Sequence, residues 1–149
     1  MKELIIDNGL EEFQLVEGGA LLRFNPRDQN IYARFIESTE KIKTVEREMA
    51  AKHSSVDRNS KNAGEKNLLL MRETDMKMKA ILNQVFGHGN DFDQILCGVN
   101  LLAVGSNDKR IIQNVMDALV PIMEAGAKAC VQEEVQKAKD TRDERKGVK

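Results

Sequence analysis

The chain is poor in the residues on which most protein chemistry is built. Two cysteines and two histidines occur among 149 residues, and tryptophan is absent. Cys97 and Cys130 form neither a close-spaced zinc pattern nor a CxxC redox motif. Sequence alone leaves a disulfide between them open, but a cytoplasmic setting argues for two partly buried thiols. His53 stands in a polar stretch with no second ligand nearby. His88 lies between two glycines, with no acid, serine or cysteine placed beside it by a motif. The lone tyrosine, Tyr32, has neither a base nor an acceptor site around it. No metal, no cofactor and no catalysis are expected from this set.

Long apolar runs are also missing. The longest are a few residues, far short of the roughly 20 a membrane-spanning helix needs. The opening Met1-Lys2-Glu3 reaches an acidic residue too early for a secretory signal. Charge of one sign is lacking as well: 23 Lys and Arg face 24 Asp and Glu, for a net charge of -1. No global field therefore favours nucleic acid or an anionic membrane. A soluble protein of the cytoplasm is expected.

What is present suits helices. Proline occurs only twice, and 149 residues suffice for one modest core. The expected fold is mainly α, with a small N-terminal antiparallel β ribbon (α+β). A single domain over residues 1–135 would contain a polar linker at 52–66, and residues 136–149 would form a flexible, basic tail.

Leu4, Ile5 and Ile6 make a short apolar run closed by Asp7-Asn8-Gly9, a strong hairpin-turn signal. With Phe13, Leu15 and the run Ala20–Phe24, this predicts two or three short strands. Their apolar face would be Leu4, Ile6, Phe13, Leu15, Leu22 and Phe24, covered by a helix of this chain or of a neighbouring subunit. An open strand edge could also take up a partner strand.

A helix is predicted over 28–51, capped by either Asn25 or Asp28, with Ile31, Phe35, Ile42, Val45 and Met49 on one stripe. A second is predicted over 65–86, with Leu68, Met71, Met78, Leu82 and Val85 on its stripe and Gly87 as its stop. Leu69, Met76 and Ile81 supply neighbouring contacts, and Asp75 interrupts the stripe: either it pairs with Arg72, Lys79 or Arg34, or the stripe is narrow there. A short helix follows through Phe92, Ile95 and Leu96, started by Asn90 or Asp91 and ended by Gly98. The last helix is predicted from about Asn107 toward Lys137, kinked or broken at Pro121.

The stretch Phe24-Asn25-Pro26-Arg27-Asp28-Gln29-Asn30-Ile31-Tyr32-Ala33-Arg34-Phe35 resembles the F-x-P-x-D-x-N-[hydrophobic]-Y-x-R-F stretch of the small tail assembly chaperones of long-tailed phages and Gram-positive prophages. Val85-Phe86-Gly87, Leu96-Cys97-Gly98 with Asn100, and Met116–Ile122 follow in the order that family shows. Cys97 departs from it, standing where related chains often carry Phe. The resemblance spans about Leu4 to Val135 and implies a non-enzymatic role in the cytoplasm of the bacterial host. It implies binding of the phage tape-measure protein, with help in recruiting tail-tube subunits around it. It also implies a chain usually absent from the finished particle, and one often made in a longer, frameshifted form.

The physical mechanism expected is helix-in-groove capture, because the apolar stripes exceed what so small a fold can cover. The contact candidates, for client binding or self-association, are Ile31, Phe35, Ile42, Met71, Met78 and Leu82. A homo-oligomer would satisfy the same surplus. Rival expectations are a structural connector or capsid-tail component of a phage particle, and a helical regulator of a host protein or nucleic acid.

Overall fold

Asp28 sets the architecture going. In the computed structural model, which describes residues 1–147, its carboxylate accepts the backbone N–H of Asn30 at 2.9 Å and caps helix α1, Gln29–Ser55. Asn25 does a different job: its Oδ1 takes the N–H of Arg27 at 2.8 Å, one turn before the helix. Of the two predicted caps, the structure uses Asp28.

Two short strands precede α1. Strand β1, Glu11–Phe13, pairs antiparallel with β2, Leu22–Phe24, in the register Glu11 to Phe24 and Phe13 to Leu22. The ribbon thus has two strands. The Leu4–Ile6 run is not one of them: Leu4 is 93% and Ile6 79% exposed. The reason lies at residues 8 and 9. Asn25 Nδ2 donates to the Asn8 carbonyl at 3.1 Å, so the chain continues alongside Asn25 rather than folding back on β1. Leu22 and Phe24 do reach the core, and Phe13 and Leu15 pack against it.

Helices α1 and α2, Ala63–Phe86, form an antiparallel hairpin. The direction is read from its cross-links: Arg34 meets Val85 at one end, while Lys52 meets Glu73 and His53 meets Asn67 toward the other. The predicted linker 52–66 shrinks to residues 56–62, because both helices extend into it. Gly87 ends α2 with φ +84, a conformation that costs glycine little, and its N–H donates to the Asn83 carbonyl.

Helix α3, Phe92–Ile95, is capped by Asp91, whose carboxylate accepts the Asp93 N–H at 3.0 Å. The connector then buries Leu101 and Leu102 and leaves Val99 and Val104 in water. Helix α4, Ile111–Gly147, starts later than predicted. Residues 105–109 are drawn into a tight turn: Gly105 N–H donates to Lys109, Asp108 takes φ +61, and Val104 bridges to Arg110. Pro121 lies inside α4 without splitting it. It removes one backbone donor, while Leu119 and Met123 on either side stay fully packed. From Val131 to Asp143 α4 is exposed, and it remains helical to Gly147, over much of the predicted flexible tail. Val148 and Lys149 of that tail lie outside the described residues.

The core joins all of these elements. Four of the five phenylalanines form one chain through it: Phe13 stacks on Phe24 at 5.0 Å, Phe24 meets Phe86 at 4.7 Å, and Phe86 meets Phe92 at 5.6 Å. This ties β1, β2, α2 and α3 together by aromatic packing. No helix among the described residues is long and apolar enough to cross a membrane.

Candidate functional site

Five of the six contact candidates occupy the interior rather than a surface. Met78 and Leu82 are fully buried, and Ile31, Phe35 and Ile42 are within a few per cent of it. Met71 is half-buried against the same cluster. These residues hold α1, α2 and α4 together, so five of the six cannot meet a partner in this fold. The correction has a simple cause. The stripe with the best periodicity is the one the hairpin buries first.

One exposed apolar face lies on the outer side of α2. Leu68 is 70%, Leu69 59% and Met76 62% exposed. Leu69, Met76 and Ala80 recur at spacings of seven and four, which places them on one helix face. Together with Arg72, Glu73 and Lys77 they line a shallow, open groove of about 450 Å³. Glu73 sits in an electrostatic clamp: Lys77 at 3.2 Å and Lys52 at 3.6 Å hold its carboxyl below the usual range, the Lys77 hydrogen bond contributing most. Arg72 makes no ion pair among the described residues.

This groove borders a cleft of about 630 Å³ between α2 and the α3 region, lined by Arg72, Met76, Lys79, Asn83, Asp93 and Asn100, among others. Its floor is an ion cluster. Lys79 Nζ donates to Asp75 Oδ2 at 2.9 Å and to Asp93 Oδ1 at 2.7 Å. Asp75 Oδ1 accepts the Leu101 N–H at 2.7 Å. Burial by itself pulls the lysine pKa down, but the hydrogen bonds to Asp93 and Asp75 outweigh it and hold the ammonium above its ordinary value. Lys79 is thus kept charged. Of the three partners weighed for Asp75, the structure chooses Lys79, one turn along the same helix.

Other polar side chains act as clips. Asn90 accepts the Arg23 N–H at 2.9 Å and donates to the carbonyls of Arg23 and Phe86 at 2.8 and 3.1 Å. In effect it is the neighbour strand on the outer edge of β2. Asn83 Oδ1 takes the Phe92 N–H at 2.8 Å. Arg34 Nε donates to the Val85 carbonyl at 2.9 Å, joining two of the stretches that carry the resemblance.

The rare residues are scattered. Cys97 is exposed, and Cys130 donates its thiol to the Arg27 carbonyl at 3.1 Å. His53 Nδ1 lies 3.1 Å from Asn67 Oδ1, while His88 faces solvent. Among the described residues, no group of three or more His, Cys, Asp or Glu could hold a metal ion. The sequence reading placed Leu68 on the buried stripe and made Leu69 and Met76 its accessories. Their own seven-residue spacing was the available signal that α2 carries a second seam. No protein-family model matches the chain, and no curated protein and no solved structure is detectably similar to it.

Proposed function

We propose that this chain is a phage tail assembly chaperone, which binds the tape-measure protein and assists recruitment of tail-tube subunits without catalysis. The observation that carries the reading is the outer face of α2. The core is already complete beneath it, yet Leu68, Leu69 and Met76 remain in water on a rigid helix. An apolar helix of a client can lie along that seam, its side chains packing between Leu69, Met76 and Ala80. Methionine suits the task because its unbranched, polarisable side chain repacks against varied partners. The motif resemblance supplies the identity of the client; the exposed seam supplies a physical means of holding it.

The test is co-expression with the tape-measure protein encoded nearby, followed by pull-down and measurement of the complex mass. Capture of that protein by the wild-type chain is expected, with loss of capture in Met76→Asp and Leu69→Asp. A chain that leaves the tape-measure protein insoluble and unbound would overturn the reading.

A further inference from the structure

Leu4, Ile5 and Ile6 are 93%, 87% and 79% exposed, so three successive large apolar side chains stand in water. Isolated exposed apolar residues are ordinary, but a contiguous run signals a missing partner. The path of the chain explains why this fold does not cover them. Residues 8 and 9 are pinned against Asn25, and a Cβ on Gly9 would meet Asn25 Nδ2 at 2.6 Å. Residues 1–7 therefore lead off as an arm. Seven extended residues reach up to about 25 Å, enough to touch a neighbouring molecule.

The arm and the outer face of α2 are complementary. The face has an apolar floor, Leu69, Met76 and Ala80, between Arg72 and Lys77. Its one carboxylate, Glu73, is already shared by Lys52 and Lys77, which leaves the rim with surplus positive charge. The arm has the opposite pattern on one face: in extended form Glu3, Ile5 and Asp7 point the same way, an apolar side chain between two carboxylates, while Lys2, Leu4 and Ile6 point the other way. In extended form those two carboxylates stand about 13 Å apart, one on each side of the apolar centre. The edge of β1 is a poorer acceptor, since the strand is only three residues long.

We propose that the N-terminal arm of one copy docks on the outer α2 face of a second copy. Ile5 covers Leu69 and Met76, and Glu3 and Asp7, which share its face of the extended arm, approach Arg72 and Lys77. Self-association on this face stands independently of any client. That a client helix displaces the arm is the one step that rests on the chaperone reading.

The test is sedimentation velocity on the full chain alone, with Ile5→Asp, Met76→Asp and an equimolar mixture of the two. Both sites are exposed, so both variants should keep the wild-type circular dichroism. The wild type should associate with rising concentration, and each variant should weaken association by about tenfold or more. The mixture should recover part of the loss, because the intact arm of Met76→Asp finds the intact face of Ile5→Asp. A wild type that stays monomeric to about 200 μM would overturn the proposal. So would an unaffected Met76→Asp, which would place the arm elsewhere, or a mixture with no recovery. Because no client is present, failure here leaves the chaperone reading to its own experiment.

Discussion

Asp75 divides its carboxylate between Lys79, at 2.9 Å, and the backbone N–H of Leu101, at 2.7 Å. One buried side chain thus fixes a lysine on its own helix and the connector that follows α3. Asp75→Ala would leave the Lys79 ammonium with Asp93 alone and the Leu101 amide without its acceptor. The expected cost is about 3 kcal/mol in urea unfolding. A loss near zero would mean that water replaces the carboxylate.

The same cluster sets a pH dependence. The Lys79 pKa is raised in the folded chain above its reference of 10.5. Its stabilisation is fully present below that reference and fades as pH rises through the higher folded value. Above about pH 10, the wild type should lose more stability than Lys79→Met, which has no ammonium to deprotonate. Urea midpoints at matched pH give the comparison, and parallel curves would count against the assignment.

Gly126 lets α4 touch the β2–α1 connection. A Cβ there would run into the Pro26 carbonyl, which is backbone and cannot swing aside. Gly126→Ala gains helix propensity of about 1 kcal/mol, yet the clash should cost more, for a net loss of about 1–2 kcal/mol. A raised melting temperature would show that the two segments are not in contact.

Asn90 makes three hydrogen bonds at the outer edge of β2 and the end of α2. Asn90→Ala should destabilise by about 2 kcal/mol. Asn90→Asp should not rescue it, since a carboxylate cannot donate to the two carbonyls. Hydrogen exchange at Arg23 would report the loss locally.

Core and surface separate cleanly by substitution. Phe35→Asp and Met78→Asp place a charge among fully packed residues and should abolish folding, read as loss of the cooperative thermal transition. Leu69→Asp and Met76→Asp should keep the transition within about 0.5 kcal/mol of wild type. If Met78→Asp folds and only loses partners, the buried assignment of α2 is wrong.

Much of this fold can be read along the chain. The start of α1, the stop of α2 and the start of α3 follow from Asp28, Gly87 and Asp91, because capping and positive φ are local demands. The pairing of Leu22 and Phe24 with the core follows from alternation. The candidate contact residues are where the sequence stops being informative. Periodicity says that Phe35, Met78, Leu69 and Met76 are apolar and on helices, and says nothing of which seam meets another element.

That choice belongs to the tertiary structure. The α1–α2 hairpin turned Met78 and Leu82 inward and left Leu69 and Met76 outside. Pinning Asn8 to Asn25 freed the Leu4–Ile6 arm from a ribbon its own turn signal had invited it to join. The physical reason is range: caps and turns are decided within a few residues, whereas burial depends on contacts between segments far apart in sequence. Sequence by itself determined that this chain has helices with more apolar surface than one small core needs. Only packing decided which part of that surface remains open to a partner.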